Sequence, residues 1–554
     1  MPNVLAYVAE LAAISGLPGA EVLADPRYDP LVRELARDGD EDGLARRLAE
    51  LVQAVGEGRR SPSPANLALL AAYERLERLG RPLNAVASVA GAPDRVEGGP
   101  GAGRPVAVKD IIAVAGVPTG CGSPSSDPEP ASLDAALVQR LRAAGYEVFA
   151  TTQCLEYAAG FAHPEIGDTR NPRDPSRTSG GSSGGSAAVV AAGVCDLAVG
   201  TDTGGSVRIP AAYCGVVGLK PSYGRLPLDG VFALSPSCDH AGTLTSTVAG
   251  AAELLAAMAS PDAPDAPDAP GAAGARPGAP APPVPAAGPA FTVGLLAGQL
   301  ADPSVTAEVR QAISAALGRL ADAGWEIRDR PAPWLDRLAD WEDALAVIVA
   351  YEACLVHADR DPSRYAEGTR ALLAFGASVS DAQYARALQQ RTELTAAIEA
   401  SLADVDVLAG PTVGYQAPEQ DPPFGAGEDH GEGRFTGPYN LSGHPAVSLP
   451  VRVAGLPAGL QLAGRLDGDE ALLHVAAAAE RLISPPGRPG RPGRPGGPGR
   501  QHPAGPASTE GDLGHDAYGA LPHDRPGRYR RSGDRGGRPR ERAAAHRPGR
   551  GPRL

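Results

Sequence analysis

Residues 178–221 constrain the fold more than any other part of this chain. They hold TSGGSSGGSAA (178–188), the overlapping SAAVVAAGV (186–194), LAVGTDT (197–203) and GTDTGGSVRIPAAYCGVVGLKP (200–221). Two glycine–serine turns are each followed at once by apolar chain. A flexible linker does not regain order so abruptly. Turns of this kind belong beside a packed core, where glycine lets backbones approach closely and adopt positive φ. SAAVVAAGV reads as a small-residue helix and LAVGTDT as a buried strand.

Flanking segments extend the pattern. A helix is expected over 65–79, ending near Gly80-Arg81-Pro82. RPVAVKDII (104–112) reads as a strand running into a loop. Ser132 is expected to cap a helix with Leu133, Leu137 and Leu141 on one face, closed by Gly145, before the strand YEVFATT (146–152). FTVGLLAG (291–298) predicts a strand. Val309, Ile313, Leu317 and Leu320 mark one stripe of a helix that Gly324 stops, and WEI gives the next strand. Helices are expected to about residue 404. VDVLAGPT (405–412), PAVSLPVRV and GLQLAG then supply strands, and a last helix spans 469–482.

Outside this core the composition changes. Residues 1–58 read as an acidic helical appendage, and 59–483 as one catalytic domain. That domain is interrupted by a Pro/Ala-rich linker at 260–290. From Ser484 to Leu554 Gly, Pro and Arg dominate, and so little apolar area predicts a disordered basic tail. The net charge of −14 argues against nucleic acid as the main partner. No long apolar stretch free of charge predicts a membrane span. The N-terminus lacks the basic start of a secretion signal. Six scattered cysteines without a CxxC pair suggest reduced thiols in a cytoplasmic protein and no zinc site.

The chemistry concentrates in few residues. Of 51 basic Lys and Arg side chains, only Lys109 and Lys220 are lysines. A desolvated lysine can lose its proton and act as a base, which arginine cannot; chance and packing are the plainer explanation for either alone. GGSSGG satisfies GxSxG at Ser182 or Ser183, but the polar, Pro-broken RNPRDPSRTS precedes it instead of the strand that a nucleophile elbow requires. No GK[ST] follows the glycines, so a phosphate loop is absent, and no cofactor or metal motif is present. TDTGGS (201–206) follows a predicted strand. Successive N–H groups in such a turn make an anion-binding nest, which suits a tetrahedral oxyanion. Ser206 at its end is a candidate nucleophile, with Asp202 and Arg208 as structural partners. Pro210 is expected to end that turn, and Lys220 to hold a structural position.

VAVKD, GGSSGGS and GTDTGGSVRIPAAYCGVVGLKPS together resemble the amidase signature family, as does the later block FTGPYNLSGHPAVSLPV…GLPAGLQLAG. The resemblance covers roughly residues 60–483. It implies an α/β fold built on a large mixed twisted β-sheet covered on both faces by helices. It also implies a Ser–cis-Ser–Lys triad, with Lys109 as base, Ser182 as bridging serine and Ser206 as nucleophile. The backbone N–H groups of Thr203, Gly204, Gly205 and Ser206 would form the oxyanion hole. By analogy the segment LEYAAGF (155–161) with Tyr157 and Phe161, and Ser183, Tyr439 and Asn440, would meet the substrate, with the GCGS loop (120–123) and Phe435 as further candidates. The implied partner is a small-molecule amide, and a homodimer or a small accessory subunit is compatible with the same resemblance.

Four functions remain open on the sequence alone. A free-standing amidase ranks first. The A subunit of a glutamine-dependent tRNA amidotransferase ranks second. There an acidic residue just before the FTGPYNLSGHP-like block helps hold the glutamine amine. Gly433 and Arg434 fall roughly at that place, with Glu432 beside them, which points away from glutamine. The third is a catalytically dead interaction protein. The fourth is a Ser–His–Asp esterase with His444 or His474 as base. His163 and His240 read as structural.

Overall fold

Among the described residues strands alternate with helices, and eleven of the strands join one mixed sheet. The computed structural model describes residues 64–90, 99–259, 290–421 and 431–483, apart from 452 and 454. The expectations for 1–58, for nearly all of 260–290 and for 484–554 lie outside those residues. The strands are β1 (Val86–Val89), β2 (Pro105–Lys109), β3 (Glu147–Thr152), β4 (Arg170–Asn171), β5 (Asp174–Thr178), β6 (Leu197–Asp202) and β7 (Val217–Lys220). They continue with β8 (His240–Thr245), β9 (Thr292–Leu295), β10 (Glu326–Asp329), β11 (Val407–Pro411), β12 (Ala446–Val451) and β13 (Ala458–Ala463). The sheet order is β1-β3-β2-β6-β8-β7-β12-β13-β11-β9-β10, with β4 and β5 forming a separate ribbon. β2 runs parallel to both β3 and β6. β8, β7, β12, β13 and β11 then pair antiparallel in turn, and β9 and β10 restore parallel pairing.

Side-chain alternation sorts each central strand between two apolar layers. Val106 and Val108 of β2 and Leu197 and Val199 of β6 join the larger cluster, with Leu137, Leu141 and Leu254. Ala107 and Ala198, which point the other way, join the second cluster with Ala187, Val189, Leu69 and Leu76. The helix Gly184–Ala191 is buried along its length and is built of Gly, Ala, Ser and Val, so it can lie close against the sheet. Helix Ala307–Asp322 buries Val309, Ile313, Leu317 and Leu320 as its stripe predicts. Each such side chain contributes about 1.5–3 kcal/mol by leaving water. Gly324 follows at φ +92° and turns the chain into β10.

Two local expectations are corrected, and a third, the missing elbow strand, is met. The helix expected from Ser132 begins at Ala136, and Ala135 at its N-terminus makes no side-chain cap. Leu133 therefore lies outside the helix and is 72% exposed. Pro210 does not end a turn but sits in the first turn of helix Arg208–Cys214, where its missing N–H costs nothing. The polar segment before GGSSGG carries the β4–β5 ribbon. That ribbon is no strand of the main sheet, so the GxSxG match lacks its elbow.

Candidate active site

β2, the turn before helix Gly184–Ala191, and the turn after β6 converge at one end of the central strands. Lys109 is the last residue of β2 and is fully buried. Its Nζ lies 2.7 Å from Ser182 Oγ and 2.8 Å from Thr201 Oγ1. Burial lowers the ammonium pKa from lysine's usual value to about 8, against the opposing pull of Cys154, Asp202, Asp239 and Cys121.

The glycines around Ser182 make this approach possible. A Cβ on Gly181 would stand 2.1 Å from Leu155 Cδ1, and one on Gly185 2.5 Å from the Gln153 carbonyl and 2.6 Å from that of Ala85. The Gly181–Ser182 peptide is cis. Ser183 Oγ donates to Thr201 O at 3.0 Å and accepts from Thr201 N at 3.2 Å, which pins this turn to the end of β6. Ser183 N in turn donates to Ser206 O at 3.2 Å, so the segments carrying the two serines are adjacent.

Asp202 organises the loop that carries Ser206. Its carboxylate accepts from Gly205 N at 2.8 Å, Val207 N at 3.1 Å, Arg208 Nε at 3.0 Å and Asn440 Nδ2 at 2.8 Å. Arg208 Nη2 completes a fully buried ion pair with Asp202 at 2.9 Å. Although burial opposes ionisation, Arg208, Lys220 and Asn440 hold the Asp202 pKa below the usual carboxylate range. One expectation changes here. The Gly205 N–H is committed to Asp202, leaving the backbone donors of Thr203, Gly204 and Ser206 as the candidates for an oxyanion.

Ser182, Ser206, Thr203 and Gly204 line a cleft of about 190 Å³, walled on its apolar side by residues such as Leu155 and Leu345. Four carboxylate side chains also line it: Glu342, Asp343, Asp421 and Glu432. Among the described residues no basic side chain does so. Burial pushes Asp421 up to about 6 and Glu432 well above its usual value.

Of the segment LEYAAGF (155–161), expected at the substrate, Leu155, Ala158, Ala159 and Gly160 line the cleft, whereas the five side chains named singly do not. Tyr157 is buried against Phe232, His357 and Tyr365. Phe161 packs over Gly368, where a Cβ would meet its ring at 2.2 Å. Ser183 is spent on Thr201. Tyr439 is buried beside Trp334. Asn440 bridges Asp202 and Arg208, accepting from Arg208 Nη2 at 2.6 Å. None of the five lines the cleft; Tyr157, Ser183, Tyr439 and Asn440 are buried among polar partners or aromatic neighbours, and Phe161 is half-buried. Ser123 of the GCGS loop donates to Glu156 at 2.7 Å, and Phe435 is buried.

Other residues occupy structural positions. Buried Lys220 donates to Pro221 O at 2.9 Å. His163 lies 3.0 Å from Arg364 O, and His240 lies 2.7 Å from Cys238 O. His444 contacts Ser442 and Glu399, while His474 faces the Phe291 ring. Neither serves a cleft serine as base. Among the described residues no group of three His, Cys, Asp or Glu could hold a metal ion, and no helix is long and apolar enough to cross a membrane.

Sequence reasoning missed Thr201 as the second partner of Lys109, although its place in a strand ending at TDTGGS was visible. It also missed the acidic cleft wall. Glu432 reaches the cleft, whereas Arg434 is drawn to Asp302 and Glu342, both at 2.9 Å. The sequence-based objection to glutamine therefore loses its footing.

A buried lysine, two cleft serines and a glycine-rich loop on a mixed sheet define an enzyme of the amidase class. The family model described as Amidase matches residues 81–473. This chain belongs to that family, the amidase signature enzymes, which act on C–N bonds. It is 37% identical over 432 residues to the A subunit of the glutamyl-tRNA(Gln) amidotransferase of Halobacterium salinarum, covering 71% of this chain and 98% of that protein. A crystal structure of an amidase superposes with TM-score 0.62 at 29% identity, covering 87% of this chain and 96% of the other. A 6-aminohexanoate cyclic dimer hydrolase complexed with substrate gives TM-score 0.67 at 26% identity, over 78% of this chain and 96% of the other. The sequence alone ranks the free-standing hydrolase first; at family level the relatives favour the A-subunit alternative.

Proposed function

We propose that this chain cleaves the C–N bond of a carboxamide through an acyl-enzyme on Ser206, releasing ammonia as an amidotransferase A subunit does. One observation carries the reading: the buried Lys109 Nζ stands 2.7 Å from Ser182 Oγ at the base of a cleft that Ser206 also lines. An unactivated serine hydroxyl is a poor nucleophile and needs a base. Neutral Lys109 takes the Ser182 proton as Ser182 takes that of Ser206. Ser206 Oγ bonds to the amide carbon, and the loop N–H groups receive the oxyanion. When the C–N bond breaks, Ser182 returns a proton to the departing nitrogen. Water then attacks the ester by the same relay, and the carboxylate leaves. No metal or cofactor enters the balance.

The names of the relatives, A subunits of a glutamyl-tRNA(Gln) amidotransferase, support amide-nitrogen transfer with partner subunits, and the resemblance to glutamine-dependent amidotransferases suggests glutamine as the amide. Asp343 and Asp421 on the cleft wall support a substrate bearing an amine, as glutamine does; Glu342 is paired with Arg434, and burial favours the neutral form of Glu432. Ammonia release from glutamine, with and without candidate partner subunits, should be compared with release from acetamide, benzamide and indoleacetamide. Turnover of glutamine that rises with partners fits the A-subunit reading. Turnover of simple amides alone would return the chain to the free-standing hydrolases. Turnover of none, with Ser206 inert toward activated acyl esters, would refute amide cleavage.

A further inference from the structure

Asp239 belongs to no part of the relay, yet it is buried directly behind it. One carboxylate oxygen accepts from Thr203 Oγ1 at 2.7 Å. The other accepts from the backbone N–H groups of Leu234 at 2.9 Å and Ser235 at 3.1 Å. Thr203 and Leu234 both line the cleft, on segments about thirty residues apart in sequence. Glu352 backs the same turn, accepting from Ser235 Oγ at 2.7 Å and Ser237 N at 3.0 Å. Three donors converge on Asp239, and an ionised carboxylate can satisfy them all because it only accepts.

We propose that Asp239 is a positioning residue: through the Thr203 hydroxyl it aims the oxyanion loop, and through Leu234 and Ser235 it fixes the facing cleft wall to that loop. The inference rests on the acyl-enzyme reading above. Thr203 Oγ1 is the side-chain tether of the loop's first candidate donor, while Asp202 holds the loop further on at Gly205 and Val207. An oxyanion hole works by donors fixed before the reaction, so a slack loop loses rate more than affinity. Asp239 has a second, electrostatic consequence. Its charge, like that of Asp202, favours protonated Lys109, whereas burial opposes it; Cys121 and Cys154 are the other titratable neighbours acting on the amine.

The test is single-turnover acylation of Ser206 by p-nitrophenyl butyrate, which requires no knowledge of the natural amide. Thr203→Val is expected to lower the acylation rate constant about tenfold or more with little change in half-saturation, and Thr203→Ser, which keeps the hydroxyl, to restore it. Asp239→Asn is expected to lower the rate similarly. It should also move the acid-limb midpoint of the pH profile, set by Lys109, downward by about half a unit or more. Wild-type rates in Thr203→Val, or failure of Thr203→Ser to rescue, would overturn the proposal. So would an Asp239→Asn enzyme with a wild-type rate constant, or one whose loss falls on half-saturation and leaves the rate constant unchanged. If Asp239→Asn does not fold, the two Thr203 variants decide. A Lys109→Met enzyme that acylates normally would refute the relay instead, a result distinct from any Thr203 outcome.

Discussion

At the scale of single residues, the proposed relay rests on one amine. Removing Lys109 from water disfavours its charged form, and that effect outweighs the nearby carboxylates. The relay as proposed needs the neutral form, which is depleted below the pKa near 8 and dominant above it. Acylation should fall about tenfold per pH unit on the acid side and level off in mildly alkaline solution. A flat profile from neutrality to pH 9 would contradict this. Lys109→Met is expected to cost about 1000-fold in acylation rate while leaving the protein folded. Thr201→Val removes the second contact of Nζ at 2.8 Å. It should cost about tenfold, because the lysine loses its orientation but remains buried.

At the scale of elements, glycine marks where the helix after Ser182 touches the sheet. Gly185 leaves no room for a Cβ between the Gln153 and Ala85 carbonyls. Neither is a flexible side-chain end that can move aside. Gly185→Ala should therefore destabilise the fold by roughly 3 kcal/mol, read as a lower urea midpoint with unchanged slope. Gly318 gives the opposite case. It lies inside helix Ala307–Asp322, and nothing stands within 4 Å of the place a methyl group would take. Gly318→Ala should stabilise by about 0.5–1 kcal/mol, since alanine loses less conformational freedom in a helix. If the two substitutions have the same sign, close approach is not what these glycines provide.

At the scale of the whole molecule, Arg208 joins distant parts of the chain. Its guanidinium contacts Asp202 in the nucleophile loop, Thr436 O at 3.0 Å, Asn440 Oδ1 at 2.6 Å and Gln461 Oε1 at 2.8 Å on β13. The block FTGPYNLSGHP thus meets Arg208 and Asp202 through Thr436 and Asn440, and none of its residues lines the cleft. Arg208→Met would leave Asp202 buried and unpaired, at an expected cost of about 3–5 kcal/mol in unfolding free energy. A loss below 1 kcal/mol would mean that solvent reaches this network.

The order of strands and helices is legible in the residues, because apolar periodicity and glycine punctuation are local properties. So is the association of Lys109, Ser182 and Ser206, since three separated motifs carry one resemblance. The helix near Ser132 starts later than expected because a capping residue in sequence is only an offer, and the chain here makes an irregular turn before Ala136. The cleft lining is illegible for a deeper reason. Whether Tyr157, Tyr439 or Asn440 faces solvent depends on which strand lies beside which, and β6 neighbours β8 and β2 through pairings far apart in the chain. It takes the folded chain to bring Asn440 to Asp202, Glu432 to the cleft and Thr201 to the lysine. Burial and contact are properties of the assembled sheet, and no residue carries them alone.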